Sequence, residues 1–219
     1  MTPPNETYES GLPVLTPADT QAKYGPLIIL TLAPLVVGLG FAYAIYTIGP
    51  TDVYDVRIDA VRAADLHWAC AACVVLGRTV AFVMCYPQVR KGRFLTASSR
   101  ALWANPFIYS EIGAGASKQA IVLVDDGAAI GKLNRANRSL YDMIESCGVA
   151  LAGLFLVSTV FPEPAFAATC AFALGWTSHA VNYSLGGASH GLGYVLAAFA
   201  TATIEGMLAL ISLKACEVV

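Results

Sequence analysis

Apolar residues in this chain gather into long, nearly unbroken runs separated by polar segments. Five runs reach the roughly 20 residues an α-helix needs to cross the hydrocarbon core of a bilayer: residues 26–48, 67–86, 141–161, 165–184 and 192–213. Pro26 opens the first and Gly49-Pro50 closes it. Pro162-Glu163-Pro164 imposes a turn between the third and fourth, since neither proline continues a preceding helix, and Gly186-Gly187 breaks the fourth. Strands of a membrane β-barrel would alternate over short segments. The pattern therefore predicts an all-α fold, an integral membrane helical bundle of five spans.

Composition agrees. The 219 residues are 57% hydrophobic and 13% charged, with a mean hydropathy of +0.62. Soluble domains carry about 25% charged residues, so a disordered chain, a nucleic-acid binder with a basic face and most soluble enzymes are excluded. The partner these numbers imply is the lipid bilayer, with no nucleic acid. The net charge of −2 adds nothing, because in a membrane protein distribution outweighs the sum. Five of the six cysteines lie in apolar runs; Cys70-x-x-Cys73 has no second pair, so cysteine here reads as a small apolar residue and no metal is expected.

The connecting segments carry the polarity. Residues 1–25 form a polar, proline-bearing tail that matches neither a transit peptide nor a secretory signal. Lys23, Arg90, Lys91, Arg93, Arg100, Lys118, Lys132, Arg135 and Arg138 all fall on the side of the membrane that holds this tail and the 87–140 loop. That excess marks the cytosol, matrix or stroma side. Segment 51–66, of mixed charge, is expected at the opposite interface. The 87–140 loop is long for a bundle and reads as an ordered insertion lying on the membrane or a neighbour, with a flexible linker as the alternative.

Charges inside a bilayer are costly and mark candidate sites. Arg78 sits mid-way along the second span and Glu205 past the middle of the fifth. Their matched depths predict an intramembrane ion pair, with ligand or proton handling as the alternative. The densest polar cluster, Lys132 to Glu145, leads into the third span. Arg135, Ser139 and Asp142 share one helical face, and Arg138, Asp142 and Glu145 a neighbouring stripe. Such a face can hold an anion by its arginines, or serve as an interface anchor.

The order of these features resembles the MAPEG family, the membrane-associated proteins of eicosanoid and glutathione metabolism. The resemblance rests on Gln88-Val89-Arg90-Lys91-Gly92-Arg93, then Arg135-Ala136-Asn137-Arg138-Ser139-Leu140-Tyr141-Asp142, then Gly175-Trp176-Thr177-Ser178-His179-Ala180-Val181-Asn182-Tyr183. It covers residues 67–214, a four-helix domain bearing an insertion at 94–130, with 26–50 as an extra N-terminal span. It implies a four-helix protomer, usually trimeric, with glutathione held between protomers. Arg90, Arg135, Arg138, Ser139, Asp142, His179 and Tyr183 fall at positions that line or neighbour the family's thiol site.

The departures bear on catalysis. The family's asparagine is Ser139, its glutamate Asp142, and the arginine expected after Gly175 is Trp176. The segment after the fourth span contains no arginine, where the synthases carry an Arg-Ser pair. Losing an arginine removes a permanent charge and a five-donor fork, so glutathione binding and thiolate stabilisation are expected to be weakened. Two functions remain open: an accessory or scaffold subunit of a larger membrane complex, or an active glutathione transferase or peroxidase. A transporter is less well supported, since no inverted repeat or broken-helix pair is present. Homotrimer and other membrane subunits both stay open as partners.

Overall fold

The computed structural model describes residues 24–90, 107–112, 121–124, 127–187 and 189–217. The 1–23 tail and most of the 94–130 insertion lie outside them. Within the described residues six helices follow in order: α1 (Tyr24–Ile48), α2 (Thr51–Ala63), α3 (His67–Arg90), α4 (Ala128–Val157), α5 (Pro162–Leu185) and α6 (His190–Ala215). Between α3 and α4, β1 (Tyr109–Ile112) and β2 (Ile121–Val124) pair antiparallel, Tyr109 opposite Val124 and Ile112 opposite Ile121. This ribbon departs from a purely helical expectation; Ile121-Val122-Leu123-Val124 is a short apolar, β-branched run of strand type.

Among the described residues, four helices are long and apolar enough to cross a membrane: α1, α3, α4 from Ile130, and α6. The chain is thus a multi-pass integral membrane protein. Helix α5 has the length but falls short in apolar character, and its position explains why. It is the central helix, packed on α3, α4 and α6. Most of its inner positions are small or polar, with Ala165, Ala168, Thr169, Gly175, His179, Ala180 and Ser184 buried beside Phe172 and Trp176. By contrast α1 packs mainly on α3, and Ile29, Val36, Leu39 and Phe41 are exposed.

Directions follow from contacts at the two ends. Trp68 meets Phe166, ring centroids 5.2 Å apart, where α3 and α5 both begin. Hence α3 runs parallel to α5, and short turns make α4 and α6 antiparallel to both. Helices α3 and α6 occupy opposite corners, separated by the α4–α5 pair. The α5–α6 contact is the most intimate. A Cβ on Gly175 would lie 2.6 Å from the Ala197 backbone nitrogen, and one on Gly193 would lie 2.6 Å from that of His179. Only glycine permits that approach.

The third span differs from the sequence expectation. Helix α4 begins at Ala128 rather than near 141 and ends at Val157, not 161. Its N-terminal half alternates polar and apolar residues at helical spacing, burying Leu133, Ala136 and Leu140. An amphipathic helix of this kind fails a test for uniform apolarity but forms as readily. At its other end, Ser158 Oγ donates to Leu154 O at 2.6 Å and Pro162 opens α5. At the α1–α2 corner, Tyr46 donates to Asp55 at 2.6 Å, and a Cβ on Gly49 would meet Tyr54 at 2.6 Å.

Candidate functional site

The polar residues gather at one end of the bundle, where α3 and α5 finish and the first turns of α4 and α6 lie beside them. The last turn of α5 leaves carbonyls without helical partners and carries the negative end of the helix dipole. Arg135 answers both needs. Its Nε donates to Tyr183 O at 3.0 Å, and Nη2 reaches Ser184 O at 3.3 Å. Gly186, at φ 74°, closes the helix in the left-handed conformation, with its N–H on Tyr183 O at 3.0 Å. Ser184 Oγ ties the same turn to α4 by donating to Lys132 O at 2.9 Å.

The other two arginines are also engaged. Arg90 donates from Nε and Nη2 to the Tyr86 hydroxyl at 3.0 and 2.7 Å, and from Nη2 to Tyr24 at 3.2 Å, joining α3 to α1. Arg138 pairs with Asp142 one turn on, Nε to Oδ1 2.9 Å. That pair is the i, i+4 ladder of the stripe; Glu145, next along it, is exposed and unpaired among the described residues.

His179 is buried in an aromatic stack. Its ring lies parallel to Tyr183 at 5.1 Å and edge-on to Trp176 at 5.5 Å, with Tyr194 at 5.7 Å. Its Nδ1 is 3.0 Å from His190 O. A carbonyl only accepts, so Nδ1 carries the proton and Nε2 presents a lone pair. His179 thus packs on Tyr183 and meets a backbone carbonyl. His190 itself folds back, Nδ1 to Gly187 O at 2.6 Å, and meets Tyr183 at 5.1 Å.

Three buried polar atoms here have no hydrogen-bond partner among the described residues: Ser139 Oγ, Trp176 Nε1 and His179 Nε2. A buried, unmade hydrogen bond costs about 1–3 kcal/mol, so a native structure tends to leave few of them without a reason. They include a donor (the indole N–H), an acceptor (the imidazole nitrogen) and a hydroxyl that does either.

Arg135, His179 and Tyr183 therefore come together at the end of α5, and Ser139 and Asp142 lie on the turns of α4 that follow Arg135. Arg90 stands apart on Tyr86 and Tyr24. Arg78 and Glu205 are not paired. Arg78 Nη1 donates to the Thr31 carbonyl of α1 at 2.6 Å, and Glu205 is exposed. Depth was matched, but the two helices occupy opposite corners of the bundle, so the predicted contact within one chain does not form. Thr31 lies in the turn before Pro34 of α1.

Sequence reasoning passed over Asn134. It is 2% exposed and clamps the chain before β1, accepting from Ile108 N at 2.9 Å and donating to Ile108 O at 2.8 Å. Phe107 stacks on Tyr141 at 5.5 Å two turns further along α4. The signal was present, an amide amid arginines on an amphipathic helix, but nothing in the sequence names its partner. No three metal-ligating side chains come together among the described residues. No protein-family model, curated protein or solved structure matches the chain.

Proposed function

We propose that this chain is a divergent MAPEG-like membrane protein with a weakened thiol site, serving as an accessory or scaffold subunit of a membrane assembly. On this reading α3 to α6 are the four-helix core, α5 is the remaining crossing, and α1 is an added span. The observation that carries it is how the arginines are spent. Arg135 caps α5, Arg138 neutralises Asp142 and Arg90 serves two tyrosines. Trp176, 3% exposed, fills with an apolar ring the position where the family pattern has a cation. A tripeptide with two carboxylates needs arginines with open forks, and binding it here would break contacts that hold helix ends.

Calorimetric titration of the detergent-solubilised protein with glutathione tests this. Millimolar binding at best is expected, with no conjugation of a lipophilic electrophile. A micromolar constant together with conjugating activity refutes it. One observation favours the second reading, an active transferase or peroxidase: the buried Ser139, Trp176 and His179 atoms that lack partners suit a retained polar pocket. Under that reading Arg135→Ala abolishes turnover rather than only loosening the fold.

A further inference from the structure

Glu145 stands in the hydrocarbon with nothing to meet it. It lies ten residues beyond Arg135 and twelve before the Val157 end of α4, about 15 and 18 Å along the axis. With Arg135 at the polar end of the bundle, that is close to mid-depth. Its side chain is exposed and makes no ion pair or hydrogen bond among the described residues. The buried face of α4, with Ala136, Leu140, Met143, Ala150 and Leu154, turns the other way. Glu145 therefore projects toward lipid, where a lone charge is costly enough to mark a site.

The surface around it has a regular form. At alternating steps of three and four residues, the spacing that keeps one helical face toward a neighbour, the open side of α4 carries Arg138, Tyr141, Glu145, Gly148, Ala152 and Phe155, all exposed. Its upper end is taken, since Arg138 pairs with Asp142 and Phe107 stacks on Tyr141. Below, Glu145 is followed by Gly148, with no atom within 4 Å of where a Cβ would stand, and then by Ala152. Small residues at such positions let a second helix come close enough for charge pairing. We infer that this stretch docks a membrane-spanning helix of a different protein, one that carries a lysine or arginine at mid-depth. A second copy of the chain does not fit. Copies related by an axis across the membrane hold equal residues at equal depth, so Glu145 would face Glu145. The cation that this chain sets mid-way along a span, Arg78, is turned onto the Thr31 carbonyl of α1. The inference rests on the proposed role as a subunit of a membrane assembly, and names the face by which the chain joins it.

Two synthetic leucine-alanine helices of about 25 residues, long enough to span and identical but for lysine or leucine at the centre, serve as probes. Energy transfer reads their binding to the full chain in phosphatidylcholine vesicles. The lysine helix is expected to bind about tenfold more tightly than the leucine helix, the scale of one polar contact between model membrane helices. Glu145→Gln should erase that preference, and Glu145→Lys should transfer it to a helix with glutamate at its centre. The side chain is exposed, so these variants keep the fold, which an unchanged melting midpoint verifies. Glu205→Gln, on α6, should leave the preference intact. Equal affinity for the lysine and leucine helices, or a preference that survives Glu145→Gln, overturns the inference. So does a self-linked dimer of Ala152→Cys chains on mild oxidation that the wild type does not give, since it puts a second copy on this face. Glutathione titration of the same vesicles reads the underlying role separately: micromolar binding with conjugation overturns that role whatever the helices do.

Discussion

Gly175→Ala should cost this protein stability although alanine is the better helix former. The added Cβ would stand 2.6 Å from the Ala197 nitrogen and 2.8 Å from the Gly193 carbonyl oxygen. Both are backbone atoms of α6, so relief requires the helices to part rather than a side chain to turn. Restoring a contact of about 3.5 Å needs a separation of roughly 1 Å, enough to forfeit a quarter to a half of each dispersion contact across the seam. Overpacking of this kind costs about 1–3 kcal/mol, and this seam is the most extensive in the bundle, so the upper end applies. Helix propensity returns up to about 1 kcal/mol, leaving a net loss of about 2 kcal/mol. Gly193→Ala meets the mirror situation, 2.6 Å from the His179 nitrogen. One parting of the helices relieves both clashes, so the double variant should lose well under the sum of the singles. Thermal unfolding in detergent, followed by tryptophan fluorescence, measures this; about 2 kcal/mol corresponds to roughly 4–8 °C in a chain of this size. Gly148→Ala, with no atom within 4 Å of the new carbon, serves as control and should be neutral or slightly stabilising. A Gly175→Ala protein as stable as wild type, or strict additivity in the double variant, refutes the reasoning.

Arg135→Ala removes the guanidinium from the Tyr183 and Ser184 carbonyls and should destabilise by about 2 kcal/mol; hydrogen exchange should quicken in the last turn of α5, with Arg135→Lys recovering part of the loss. Asn134→Ala removes the partner of both the main-chain N–H and the C=O of Ile108, so protease cleavage near residues 107–112 should rise while the global melt moves by only a few degrees. Arg138→Ala breaks an ion pair whose arginine side chain is 56% exposed, and should change the melting midpoint by less than its error. Trp176→Arg buries an unpaired cation and should cost about 3–5 kcal/mol; a melt restored by added glutathione would show that the pocket still accepts an anion.

Four of the five expected spans were legible because membrane insertion selects on length and apolarity, both properties of a single segment. Their edges were legible only where Gly or Pro marks them. The apolar run began thirteen residues after the start of α4, since the polar Lys132, Asn134, Arg135, Asn137 and Arg138 interrupt uniform apolarity while Leu133, Ala136 and Leu140 share a buried face. Depth along a helix can be computed from residue number; rotation about the bundle cannot. That is why Arg78 and Glu205 were level but not adjacent, and why the true partner of Arg78, a main-chain carbonyl near Pro34, left no mark in the sequence. The i, i+4 spacing of His179 and Tyr183 puts both on one helical face, whereas the binding of Arg135 to the end of α5 depends on how two distant segments meet.

One turn of α4 holds two unlike things. Asn134 grips the peptide chain outside the membrane-crossing rods, and Arg135, the next residue, grips the terminus of the central rod. A helix is stiff over so short a distance, so a tug on residues 107–108 is delivered to the end of α5 with little slack. Any protein that seizes the extramembrane segment would thereby hold a handle on the innermost helix.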